Sequence, residues 1–131
     1  MHHHTGWPGH PDHYDLMLQA GGSEGAPPEV RALMTFATVS DEFPAGREAC
    51  PSELRAILSH RLAYLTFEGP VSGGRGSVRR ADSGDLTWLP APEAVPGDLR
   101  FRLGGERLSG TFRLRRIGEG THSLEREPDA V

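Results

Sequence analysis

The sequence predicts an all-β fold: a small β-barrel of about six to eight short antiparallel strands with one short helix. Three observations predict it. Several stretches alternate apolar and polar residues with period two, as half-buried strands do. Gly (17) and Pro (11) punctuate the chain densely, which suits short elements joined by turns. No apolar pattern of helical period runs long enough for a helical bundle.

The elements follow in order. Residues 1–13 are rich in His, Gly and Pro and read as loop. "YDLMLQA" sets Tyr14, Leu16 and Leu18 against Asp15, Met17 and Gln19, a strand. "GGSEGAPPE" is a turn-rich connection, "VRALMTFATV" a second strand, and "SDEFPAGREACPS" a loop. "PSELRAILSH" reads as the short helix, with Ser52 as cap, Pro51 before it and Glu53 in its first turn. "RLAYLTFEG" alternates again and reads as a strand ending at Gly69. The glycine-rich bend "SGGRGS" leads into a strand around Ser77–Arg80. "DLTWLPA", "LRFRL" and "GTFRLRR" complete the set, the last two joined through a hairpin turn at "GGER". One domain spans 1–131, with the tail frayed from about residue 118.

Composition excludes several classes. The chain has 131 residues, 36% hydrophobic and 24% charged, which is globular rather than disordered. The net charge of −4 does not advertise nucleic acid. All 14 basic residues are Arg. A single cysteine, Cys50, rules out an internal disulfide framework and a cysteine-based zinc site. With no apolar run of membrane-spanning length and no signal segment, the expectation is a cytoplasmic monomer without membrane contact. "MHHH" reads as native sequence rather than a tag remnant, because it continues into "TGWPGH" without a linker.

The histidines crowd at the start: His2, His3, His4, His10 and His13, with Asp12 and Asp15. Imidazole and carboxylate are ligands for Zn2+ or Mn2+. His13 and Asp15 are two apart, so on a strand they share one face about 7 Å apart. His4 or His10 reaches in as a third ligand. By pattern alone, a solvated polar loop explains the same cluster equally well. His60 and Tyr64 share a parity; they read either as a phosphate-contacting pair or as packing near an element end. "SGGRGS" lacks the endings of a phosphate loop, so a tight bend with an exposed Arg75 fits it better. The arginines from Arg100 to Arg116 read as a nucleic-acid face or as a solvated face paired with acids.

In combination, "HYDLML", "HRLAYLTFEGPVSGGRGSV" and "LRFRLGGERLSGTFRLRR" resemble the 3′-phosphoesterase domain of bacterial DNA ligase D, in the form of a short standalone member. That family carries H-[YW]-D-x-R-L, then D-H-P-x-x-Y-x-x-F-E-G, a glycine-rich bend, and a closing L-x-G-x-[WF]-x-L-x-R segment. The resemblance covers residues 1–117. It implies a small β-barrel that uses Mn2+ to remove a 3′-phosphate or 3′-ribonucleoside from nucleic-acid 3′ ends, with a repair ligase or polymerase as a further partner. His13 and Asp15 then match two metal ligands, with His4 preferred and His10 second for the third. His60 and Tyr64 match the catalytic phosphate-contacting pair. The chain departs from the family at Met17, where an Arg contacts phosphate; at Leu58, where a Glu stands; and in "FATVS", which lacks a Lys. Arg75 and Arg61 are the candidates to replace the lost cation. The departures leave a second reading, a catalytically impaired relative that binds metal and nucleic-acid ends or a repair partner.

Overall fold

In a computed structural model, which describes residues 1–44, 52–90 and 98–127, ten strands form one antiparallel sheet. They are β1 (His2–Thr5), β2 (His13–Gln19), β3 (Leu33–Thr38), β4 (Ser52–His60), β5 (Gly69–Pro70), β6 (Ser77–Arg80), β7 (Gly84–Leu89), β8 (Leu99–Gly105), β9 (Ser109–Gly118) and β10 (Thr121–Arg126). Their spatial order is β5-β6-β1-β2-β3-β4-β10-β9-β8-β7. The all-β expectation holds. Cys50 lies outside the described residues, as do Pro51 and the end of the tail.

The sheet rolls but does not close. Its end strands β5 and β7 are not paired with each other among the described residues. Cross-links hold the roll instead. Trp88 on β7 donates its indole N–H to the Gln19 carbonyl on β2 at 3.0 Å. The Asp82 carboxylate, just after β6, accepts the backbone N–H groups of Glu106, Arg107 and Leu108 in the β8–β9 turn. A cavity of about 600 Å3 lies along the gap, lined by Leu16–Gln19 on one side and Gly84–Trp88 on the other.

Period two on β2 separates two faces. Leu16 and Leu18 enter the apolar core with Phe36, Leu54, Phe101, Phe112, Leu114 and Leu124. His13, Asp15 and Met17 point to the opposite face. That division positions the functional cluster: one side of the strand anchors it and the other presents it.

Four expectations about elements are corrected. His2–Thr5 is an inner strand, not loop, paired with β2 through His4↔His13 and with β6 through His4↔Val78. "SELRAILSH" is β4, not a helix, because β3 and β10 hydrogen-bond both of its edges and outweigh its helix-forming residues. "LAYL" is a 3-10 turn over Leu62–Leu65 rather than a strand. It is tied to the preceding loop by Leu62 N–H to Val30 O and Ala63 N–H to Pro28 O. Residues 118–127 are not frayed, since β10 sits inside the sheet between β4 and β9; the rest of the tail lies outside the described residues.

Candidate metal centre

Antiparallel pairing puts His4 opposite His13, and the strand period puts Asp15 beside them. One ligand atom from each of His4, His13 and Asp15 falls within 4.8 Å of the others. His4 Nδ1 stands 3.7 Å from Asp15 Oδ2, and His13 Nε2 stands 3.3 Å from Asp15 Oδ1. His4 and Asp15 are buried and His13 is half-buried.

Two backbone carbonyls set the tautomers. A carbonyl only accepts, so the ring nitrogen facing it carries the proton. His13 Nδ1 donates to Pro11 O at 2.8 Å, and His4 Nε2 donates to Arg75 O at 2.6 Å. In the neutral imidazoles, His13 Nε2 and His4 Nδ1 are then left as lone pairs facing the Asp15 carboxylate. Metal-ligating histidines are commonly oriented by just such a bond from the other ring nitrogen. Lone pairs facing a carboxylate require a cation between them, either a proton or a metal ion. Burial alone raises the Asp15 pKa, yet the bonds and charges of His13 and His4 bring it down to about 2. Asp15 Oδ1 is buried and makes no hydrogen bond of good geometry, with His13 Nε2 at 3.3 Å. The donor set therefore fits a divalent ion.

The bend "SGGRGS" proves to be part of this arrangement. Its Arg75 carbonyl holds His4, while its guanidinium folds back onto Ser72, with Nε to the carbonyl at 2.7 Å and Nη2 to Oγ at 3.1 Å. The bend can close on β1 only because residue 76 is glycine. Its φ is +73°, and a Cβ there would run into the Thr5 carbonyl oxygen and stand 2.7 Å from Trp7 N.

The other predicted residues are placed as follows. His10 is outside the cluster, its exposed ring stacked on Trp7 at 3.7 Å, so the third member of the candidate cluster is His4 rather than His10. His60 and Tyr64 meet edge to face at 4.9 Å. His60 Nδ1 donates to Leu58 O, leaving Nε2 as a lone pair. Burial lowers the His60 pKa, with the Arg31 charge adding to it, while burial raises that of Tyr64; both are neutral at pH 7. Arg61 is exposed just before the 3-10 turn. Met17 is buried, at 6% exposure, where the resembling family has its phosphate-contacting Arg. Three arginines of this face are paired with acids: Arg100 with Glu127, Arg113 with Asp98, and Arg115 with Glu125.

Two neighbours of the site had no role assigned from sequence: His2, counted only among the crowded histidines, and a backbone carbonyl. His2 is fully buried, with its ring edge-on to Tyr64 at 5.0 Å. The Arg75 carbonyl is backbone, invisible to any motif of side chains. Fold and site together define an all-β protein with a candidate His–His–Asp metal centre. No family model and no curated protein matches the chain.

Proposed function

We propose that this chain is a metal-dependent phosphoesterase that removes a 3′-phosphate or 3′-ribonucleoside from DNA or RNA ends. The observation that carries the reading is the pair of carbonyl-locked histidines whose free nitrogens converge on Asp15. The order of motifs, which resembles that of the ligase D phosphoesterase domain, supplies the substrate class.

His4, His13 and Asp15 would hold the ion, and this donor set suits Mn2+ or Zn2+. When bound, such an ion polarises a phosphoryl oxygen and lowers the pKa of water. Asp15 offsets part of the ion's charge from a dry position. His60 presents Nε2 as a hydrogen-bond or proton partner for the phosphoryl or leaving oxygen. Tyr64 fixes the His60 ring. Arg75 and Arg61 are the cations offered for the phosphate backbone. A repair ligase or polymerase would take the resulting 3′-hydroxyl.

Buried Met17, and the folding of Arg75 onto Ser72, favour a second reading: a module that binds metal and nucleic-acid ends without turnover. One assay separates them. A 5′-labelled primer–template ending in a 3′-phosphate or a single 3′-ribonucleotide is incubated with protein and Mn2+, beside His13→Ala. Loss of the 3′ group by wild type alone supports the enzyme. Inertness of both proteins, with Mn2+ bound, supports the module. No helix among the described residues is long and apolar enough to cross a membrane.

A further inference from the structure

His2 stands directly across the β1–β2 ladder from Asp15. It is fully buried, and neither of its ring nitrogens makes a hydrogen bond of good geometry, the Phe67 backbone being a weak polar neighbour. Asp15 Oδ1 is buried too, with His13 Nε2 at 3.3 Å but no hydrogen bond of good geometry. Buried polar atoms without partners are rare in folded proteins, and each points to something that satisfies it. Here they fall on paired residues of one sheet face.

The register explains why this matters. His2 and His4 on β1 face Asp15 and His13 on β2, so the four side chains occupy the corners of a square. Three corners make the candidate metal centre. The fourth, His2, rests against Tyr64 and is outside the three-residue cluster as the structure stands. A buried ring with only a packing role at this corner would be better served by Phe, which has no nitrogens to leave unpaired.

We infer that His2 is a fourth ligand of the centre, its ring turning from Tyr64 onto a bound divalent ion. The inference rests on the metal-centre reading above. Three imidazoles and one carboxylate leave open positions on a six-coordinate ion for water and a phosphoryl oxygen. Ligation would satisfy the lone pair of His2 and Asp15 Oδ1 at once.

The test uses Co2+ as the probe. X-ray absorption at cobalt bound to the wild-type chain counts imidazoles; three are expected. His2→Phe keeps a ring against Tyr64 and removes the nitrogens. It should bind Co2+ at least about 10–100-fold more weakly, since loss of a mere outer-shell partner costs that much. Its visible cobalt spectrum should change as one nitrogen donor is lost. Two imidazoles in wild type, with unchanged affinity in His2→Phe, would overturn the inference and leave the three-residue centre standing. Absence of Co2+ binding by wild type would overturn both. Should His2→Phe fail to fold, the wild-type imidazole count decides alone.

Discussion

His4 donates its Nε2 proton to the Arg75 carbonyl at 2.6 Å, and that contact leaves Nδ1 facing Asp15. The glycine-rich bend thereby orients a histidine of the candidate metal centre. Gly76→Ala should disturb it, because a Cβ there collides with the β1 backbone. Gly74 has a similar φ of +70° but open space around it. Gly76→Ala is expected to weaken Co2+ affinity about 10–100-fold, measured by titration calorimetry. Gly74→Ala should cost about 1–2 kcal/mol of stability and leave affinity alone. Equal affinity in the two variants would mean the bend does not orient His4.

The ligand strand was legible because H-x-D needs only the period of a strand to bring both side chains to one face. β1 was not. Three histidines followed by Thr and Gly carry no apolar alternation, and their strand conformation comes from β2 and β6 on either side. Without that pairing, only the family resemblance ranked His4 above His10. β4 misled for the opposite reason. Ser52 and Glu53 look like a helix start, and Leu58 fits a helix as well as a strand. Leu58 is 75% exposed on β4, so burial did not write its pattern. The apolar alternation of β2, β8 and β9 reflects a core on one side, and there the sequence reading and the structure agree.

Acid should destabilise the protein through carboxylates that the fold holds low: Asp15 of the candidate centre, and also Asp98 and Asp82. Burial alone would push the Asp98 pKa up, but bonds from Arg113 and the Arg116 N–H outweigh it and hold the group low. At Asp82 burial is likewise outweighed by four backbone N–H bonds, from Leu108, Glu106, Arg107 and Ser83. Both folded values lie below the ordinary 3.8. The unfolded chain therefore binds these protons first. The stability these groups contribute is present above the ordinary carboxylate range and is lost as pH falls through the folded values. Urea midpoints should begin to fall below about pH 6.5, where the unfolded chain protonates His2 while burial holds its folded pKa at about 4, and should drop further as pH falls through the carboxylate range. Asp98→Ala should cost about 1.5–3 kcal/mol at pH 7 and flatten that acid drop. An unchanged acid slope in the variant would remove Asp98 from the account.

His60 separates binding from turnover. Its Nδ1 is tied to Leu58 O, so Nε2 alone is free to meet a substrate. Under the phosphoesterase reading, His60→Ala should lower kcat about 10^2–10^4-fold and leave Mn2+ affinity unchanged. Tyr64→Phe keeps the ring contact at 4.9 Å and should lose far less. Release of 3′-phosphate under single-turnover conditions is the readout. Full activity in His60→Ala would reduce the residue to packing.

β10 offers the sharpest test of the architecture, because its sequence looks dispensable. "THSLER" holds one aliphatic residue, Leu124, among polar neighbours, with Gly118 and Gly120 just before it. Yet Leu124 is fully buried, paired with Leu114 on β9 and Ser52 on β4, and His122 packs edge-on against Phe36 at 5.2 Å. Removing β10 would expose the core and free an edge on each of β4 and β9, the kind of unpaired edge that invites aggregation. Leu124→Ala should destabilise by about 2–5 kcal/mol, read from thermal or urea unfolding. A chain ending at Gly118 should fail to fold or should precipitate. A cooperative melt from that shortened chain, at the wild-type midpoint, would show that β4 and β9 hold the sheet without the strand between them.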